Sequence, residues 1–234
     1  GNTATIDAHL IPRAFVMEVK GSRGEQHLIV HHGKDGQKVS HTGLYDSVIL
    51  CGPCDSRLGG YEDYALGLLK KQRKIEDRRQ NMIEVDPIDG NAMVKFAAGI
   101  AWKFAVTRPE FGRIDIGPYA DRLKEVAFGP GPTPEAIDVT MIRLLELDGD
   151  VYHYRMPKPD RQGGTNVVRF SVGGFLFFLK IDKRPNDRTL PGDCWMRDRT
   201  KVLYPIFPAH QFEEGQMHDE LATRPKVGAF FRNM

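Results

Sequence analysis

The stretch LCGPCDSRLGGYEDYA, residues 50–65, contains two of the three cysteines of the chain, spaced Cys-x-x-Cys and followed directly by an aspartate. Two thiolates on such a turn can point at one ion, so the pair is a natural half of a tetrahedral zinc site. A redox dithiol requires the pair to begin a helix within a βαβ unit, and the preceding residues do not have that pattern. We expect zinc, with a redox pair or inert thiols as alternatives.

Downstream of the cysteines, apolar residues recur at helical spacing from residue 61 to about residue 80. Asp55 is the predicted N-cap, and Gly59-Gly60 predicts a kink or a restart of the helix. The same stretch has a run of basic residues, which is either the solvated face of a helix or a phosphate-binding surface. Its members are Lys70, Lys71, Arg73, Lys74, Arg78 and Arg79.

Upstream of the cysteines, short apolar runs at 14–19, 28–30 and 48–50 alternate with glycine-rich polar segments, which predicts strands and loops. Beyond residue 80 the periodicity predicts buried helix at 91–106 and a shorter helix at 118–126. A proline- and glycine-rich break follows at 128–134. Alternating patterns then predict strands at 139–147, 151–155, 167–172, 175–181 and 202–207.

The composition is that of an ordinary globular protein, with 234 residues of which 41% are hydrophobic and 27% charged. The net charge of +2 gives little information about partners, because binding depends on where charge is concentrated. No apolar run approaches the length needed to cross a bilayer, and no secretory signal is visible. We therefore expect a cytoplasmic protein with reduced thiols and no membrane partner.

Three short motifs occur in order along the first quarter of the chain. They are DAHLIP at 7–12, LYDSVILC at 44–51, and Asp55 directly after the second cysteine. This arrangement resembles the HNH family of ββα-metal endonucleases, whose motifs are His-Ile-x-Pro, an Asn before an apolar run, and a His or Asn after a zinc Cys-x-x-Cys. The resemblance covers about residues 1–65 and implies an N-terminal ββα-metal zinc module. Together with the periodicities downstream, this predicts an α+β chain in which helices and a small, mostly antiparallel sheet follow the module.

The resemblance assigns a role to each matching position. His9 would be the general base that activates water, Asp46 would replace the Asn that orients the loop of the base, and Asp55 would bind a catalytic Mg²⁺ or Mn²⁺ ion. Cys51 and Cys54 would bind structural Zn²⁺. On the helix that follows, Lys70, Lys71, Arg73 and Lys74 would contact DNA.

The chain departs from the family pattern at three positions. A metal ligand often precedes the catalytic His in the family, and here that residue is Ala8; Glu62 or Asp63 is the nearest substitute. Asp46 cannot donate as an amide does. The family's second cysteine pair is expected upstream of Gly1; otherwise His27, His31, His32 or His41 would complete the zinc site.

The sequence thus predicts a nuclease module at 1–80 and a second α+β region at 81–234, with helices within 91–127, strands within 139–207 and a terminal segment at 212–234. The expected activity is metal-dependent hydrolysis of DNA phosphodiester bonds, as the effector of a bacterial restriction or antiphage system beside an ATPase or sensor subunit. One alternative is a catalytically inactive zinc module that binds DNA or protein. Another is an interaction module whose nuclease-like fold is incidental.

Overall fold

The computed structural model describes residues 5–19, 27–30, 37–40, 42–75, 81–145, 153–186 and 190–225. It is an α+β structure in which the described residues form five α-helices, a mixed six-stranded sheet and two small antiparallel strand pairs. The N-terminal strands are β1 (Ala8–His9), β2 (His27–Val30), β3 (Gln37–Ser40) and β4 (Tyr45–Asp46). β1 pairs with β4 and β2 pairs with β3.

The apolar run at 14–19 forms helix α1 (Arg13–Glu18), so the expected strand is wrong. Pro12 precedes the first helical residue, where its fixed φ and missing N–H are tolerated. The helix buries Phe15 and Val16 in the core. The run at 48–50 is likewise not a strand, because the Asp46 carboxylate accepts a hydrogen bond from the Val48 N–H and turns the chain.

Helix α2 (Gly52–Ile75) runs without a break through Gly59-Gly60, so the helix does not restart there. The helix begins earlier than expected, which puts Asp55 in its first turn rather than at its N-cap. Tertiary packing overrides the weak helix propensity of glycine here. Along the helix, Leu58, Ala65 and Leu69 are fully or almost fully buried in the core.

The large sheet contains β5 (Met82–Val85), β6 (Ile137–Leu145), β7 (Arg155–Gln162), β8 (Thr165–Val172), β9 (Phe175–Ile181) and β10 (Val202–Pro208), in the order β5-β10-β6-β9-β8-β7. All neighbours are antiparallel except β10 and β6. Four of the predicted strands are present with nearly the expected bounds.

The edge strands of the large sheet are β5 and β7. The sequence pattern misplaced β7 and did not predict β5. The strand expected at 151–155 begins only at Arg155, and residues 151–152 lie outside the described residues. β7 contains Pro157 and Pro159, which are tolerated only where the missing N–H faces away from a partner strand. β5 is too short and too polar to have been predicted.

Helix α3 (Gly90–Val106) packs against the sheet and against α2 and α4 (Tyr119–Phe128), while α5 (Glu213–Thr223) follows β10. The α3 and α4 predictions were correct within two residues. The Asp89 carboxylate caps α3 by accepting a hydrogen bond from the Ala92 N–H at 2.9 Å. None of the helices in the described part of the chain is both long and apolar enough to cross a membrane.

One hydrophobic core includes β1, α1, α2, α3 and one face of the large sheet. A smaller apolar cluster lies on the opposite face of the sheet, around Ile142, Leu176 and Phe178. The two regions expected on either side of residue 80 therefore share one hydrophobic core.

Candidate functional site

Two strands and one helix position the residues that the sequence motifs predict to be functional. His9 lies opposite Tyr45 in the β1–β4 pair, and Ala8 lies opposite Asp46. A further bridge joins Thr5 to Cys51, directly before α2 begins. Opposite residues of an antiparallel pair share a face, so His9 and Tyr45 are on one face and Ala8 and Asp46 on the other.

The His9 imidazole is half-buried, and its Nε2 atom is buried without a hydrogen-bond partner. Burial lowers the pKa of His9, and the nearby cations Lys103 and Arg13 lower it further. Asp55 and Glu62 act in the opposite direction, which places both carboxylates within electrostatic range of the ring. The imidazole is therefore neutral at pH 7 and able to accept a proton.

A buried lysine connects the His9 strand to α2. Lys103 of α3 donates to the His9 carbonyl oxygen at 2.7 Å and to Glu62 Oε1 at 2.9 Å. Its side chain is 2% exposed, compared with 21% for Glu62. Glu62, one of the two expected substitutes for the missing metal ligand, is therefore linked to the His9 backbone through Lys103. Asp63, the other expected substitute, is exposed.

The Asp46 carboxylate is fully buried and faces α3. It accepts hydrogen bonds from Thr107 Oγ1 at 2.7 Å, from the Arg108 N–H at 3.1 Å and from the Val48 N–H at 3.2 Å. Burial alone would raise the pKa of Asp46, but these hydrogen bonds and the Arg108 guanidinium hold it below its usual value. Asp46 is therefore ionised and fixes β4 to the end of α3.

Cys51 and Cys54 are free thiols, each partly exposed. The pKa of the Cys54 thiol is raised, mainly by a hydrogen bond with Cys51 and to a smaller extent by burial. The nearby cations Lys124 and Arg57 act to lower it. The two sulfur atoms are thus close enough to bind one ion, which fits two of the four ligands of a structural zinc site. No group of three or more His, Cys, Asp and Glu side chains capable of holding a metal occurs within the described ranges.

The other ligands considered for zinc are not described in the structure. His31, His32 and His41 lie outside the described residues, and only the backbone of His27 is described. The zinc and catalytic-metal sites therefore stay predictions.

The basic run divides into two kinds of residue. Arg73 is mostly buried and donates to the Gly173 carbonyl oxygen and to Glu18 Oε1, each at 2.7 Å. Lys70, Lys71 and Lys74 are exposed, although Lys70 also lies 3.6 Å from Glu18. Arg78 and Arg79 lie outside the described residues. Among the described members of the run, only the three lysines present their charge to solvent.

Sequence reasoning missed the contribution of α3 to this site. Lys103, Thr107 and Arg108 all lie at or beyond its C-terminal end and contact both strands of the β1–β4 pair. Lys103, one of two lysines in a mostly apolar helix, was the available signal, because a buried lysine requires a partner. Nothing in the sequence identified His9 and Asp46 as its neighbours.

Comparisons of this chain with protein-family models, with curated proteins and with solved structures found no match.

Proposed function

We propose that this protein is a metal-dependent endonuclease that hydrolyses DNA phosphodiester bonds, with His9 as the general base. The observation that carries the proposal is the half-buried His9 imidazole, whose Nε2 has no hydrogen-bond partner and which lies within electrostatic range of Asp55 and Glu62 of α2. A strand pair followed by a helix that begins at a Cys-x-x-Cys turn supports the resemblance to HNH nucleases.

In this mechanism the His9 imidazole accepts a proton from water as the water oxygen attacks the phosphorus atom. Asp55 would hold a divalent ion, and Glu62 lies two helical turns further along α2. When bound, such an ion would supply charge stabilisation for the scissile phosphate and the leaving oxygen. Cys51 and Cys54 would hold zinc and fix the start of α2 relative to β1.

Lys103 and Asp46 act as positioning residues. Lys103 holds the His9 carbonyl oxygen and orients Glu62 through one ammonium group. Asp46 anchors β4, which pairs with β1, to α3. Asp46 thereby replaces the orienting Asn of the family by holding the opposite strand rather than by touching the imidazole.

Exposed lysines on α2 provide the proposed DNA contacts. Lys71 and Lys74 lie on the helix that contains Asp55 and do not take part in any ion pair recorded among the described residues. Such cations contribute salt-dependent, sequence-independent affinity for phosphates. Arg73 is excluded from this role by its bonds to Gly173 and Glu18.

A catalytically inactive DNA-binding or interaction module is the second candidate. Ala8 is fully buried and provides no metal ligand, and the Lys103 ammonium already neutralises Glu62. A cytoplasmic location belongs to the proposal, as does an ATPase or sensor partner, which follows only from the resemblance.

Plasmid nicking with Mg²⁺ or Mn²⁺ tests the nuclease proposal. We expect His9→Ala to lower the nicking rate by about 10²-fold or more, the usual contribution of a general base. Bound zinc should be unchanged, because His9 is not among the proposed zinc ligands. His210→Ala is the matched control, since His210 is exposed and far along the chain on the turn after β10.

Two outcomes would count against the proposal. Equal nicking by the wild-type and His9→Ala proteins would remove His9 as the base. Salt-dependent DNA binding with no metal-dependent nicking by the wild-type protein would favour the inactive module, and tight binding to a protein partner without DNA affinity would favour the interaction module.

A further inference from the structure

The two faces of the β1–β4 pair differ in exposure. Ala8 and Asp46, which share one face, are both completely buried. On the other face His9 is half-buried, and Tyr45, directly opposite His9 in the register, is 48% exposed. The face that contains the proposed general base is thus open to solvent on its Tyr45 side.

The Tyr45 ring lies beside the His9 imidazole on this open face. The two ring centres are 6.1 Å apart, and the ring planes are inclined by 54°. This separation is shorter than one extended nucleotide. A base on the Tyr45 ring and a phosphate at His9 would therefore belong to the same nucleotide or to adjacent ones.

The exposure of Tyr45 is unusual in this protein. Among the phenylalanine, tyrosine and tryptophan side chains in the part of the chain that the structure describes, only Tyr45 and Phe207 are exposed. Tyr45 belongs to neither hydrophobic cluster of the described residues. Its ring therefore adds little to the core and is available to a ligand, which could bury it.

A cation borders the same site. Arg13, the first residue of α1, is exposed and lies within electrostatic range of the His9 imidazole. It has no ion pair with any residue that the structure describes. Lys103, by contrast, is already bound to the His9 carbonyl oxygen and to Glu62. Arg13 is thus the nearby cation that has capacity for a phosphate.

An exposed aromatic ring and an exposed cation beside the base favour one form of nucleic acid. The faces of paired bases are covered by their neighbours in a duplex, whereas proteins that bind single strands combine cations along the backbone with aromatic rings that stack on bases. We infer that Tyr45 stacks on an unpaired base next to the scissile phosphate and that Arg13 holds the backbone of that strand, so the substrate is single-stranded or locally unpaired nucleic acid. This inference rests on the proposed function, because it places the strand at His9.

Binding measured without catalysis tests the role of Tyr45. The probes are a fluorescently labelled oligo-dT strand and an oligo-dT/oligo-dA duplex of the same length, without added Mg²⁺ or Mn²⁺ so that neither is cut. We expect the wild-type protein to bind the single strand more tightly. Tyr45→Ala should weaken that binding by about 5- to 150-fold, the usual effect of losing one stacked base, and should leave duplex binding nearly unchanged.

Two variants control for the loss of the ring. Tyr45→Phe keeps the aromatic face and should retain binding of the single strand. Phe207→Ala removes the other exposed aromatic side chain, at the end of β10, and should bind both probes like the wild type. Oligo-U in place of oligo-dT shows whether the preferred strand is RNA or DNA.

Arg13→Gln separates charge from stacking. It should weaken binding of the single strand and make the plot of log Kd against log salt concentration shallower by about 0.7, the value for one phosphate of a single strand. Tyr45→Ala should leave this slope unchanged, because stacking releases no counterions. Arg113→Gln, at an exposed position after α3, is the matched control and should not change the slope.

Photocrosslinking measures the contact directly. A strand that contains iodouracil should crosslink to the peptide that includes Tyr45, as mass spectrometry of the digested complex would show. Urea midpoints of wild type and Tyr45→Ala should agree, since the ring lies outside the core. If Tyr45→Ala proves less stable, the crosslink on the wild-type protein still decides the question.

Three results would overturn the inference: equal binding of the single strand by wild type and Tyr45→Ala, binding of the duplex as tightly as the single strand, or crosslinks confined to other peptides. The nuclease proposal fails separately. Nicking of duplex that depends on His9 but not on Tyr45 removes this inference alone. Binding of the single strand through Tyr45 without metal-dependent nicking keeps this inference and removes the nuclease activity.

Discussion

Asp46 is a buried carboxylate whose negative charge is stabilised by hydrogen-bond donors from two parts of the fold. Thr107 and Arg108 approach from the end of α3, and the Val48 N–H approaches from the chain directly after β4. An amide at this position would lose the attraction of the Arg108 guanidinium, 3.4 Å away. The residue therefore contributes to stability through its charge as well as its shape.

Asp46→Asn should lower the free energy of unfolding at pH 7 by about 1–3 kcal/mol, the usual range for a buried charged hydrogen bond. Because folding lowers the Asp46 pKa, its stabilisation is complete above the ordinary value of 3.8 and is lost as pH falls through the folded value. Urea denaturation of both proteins from pH 7 to pH 2 measures this.

The difference between the two proteins should therefore shrink in acid. Asp63→Asn, at an exposed position of α2, is the control and should change stability little at any pH. A wild-type advantage that does not vary between pH 7 and pH 2 would contradict the ionised buried carboxylate.

At the scale of the element, some helical glycines have room for a side chain and others do not. Gly60 and Gly67 lie within α2, and a Cβ added to either would have no neighbouring atom within 4 Å, so the helix has room for side chains there. At Gly90, the first residue of α3, a Cβ would lie 1.8 Å from the Met196 carbonyl oxygen. This glycine is required by close approach of two backbones.

Gly60→Ala should raise the free energy of unfolding by about 0.5–1 kcal/mol, because alanine loses less conformational entropy in a helix. Gly90→Ala should lower it by about 2 kcal/mol or more, since backbone must move. Urea midpoints of the two variants against wild type measure both effects. Stabilisation by Gly90→Ala would show that α3 does not approach Met196 so closely.

At the scale of the whole molecule, the N-terminal strands depend on α3. Lys103 holds β1 and Thr107 holds β4, and the apolar core continues from α1 and α2 into the large sheet. Arg73 adds a bond from α2 to the turn between β8 and β9. The candidate site is thus assembled from both halves of the chain.

We therefore expect the intact chain to unfold in one cooperative transition, with circular dichroism and tryptophan fluorescence giving the same midpoint. A fragment of residues 1–80 should not form a stable fold, because it lacks α3 and exposes the buried face of α2. Two separated transitions, or a folded 1–80 fragment by circular dichroism and hydrogen exchange, would show that the first region is an independent domain.

The amino-acid pattern alone determined the elements whose periodicity is strong. Helix α3 and strands β8, β9 and β10 were predicted closely, because a buried helix or central strand shows its apolar repeat directly in sequence. For these elements local chemistry was sufficient. The strand pair followed by a helix at the His9, Asp46 and Cys-x-x-Cys motifs was implied by the resemblance to the HNH family.

Only the tertiary structure decided the rest. Packing on the core kept α2 continuous through its glycines, and edge position allowed β7 to contain two prolines. The partners of His9 and Asp46 come from a helix more than fifty residues away in sequence, and no local pattern encodes such a contact. Burial is a property of the folded chain, so the charges that require partners find them only when distant elements pack together.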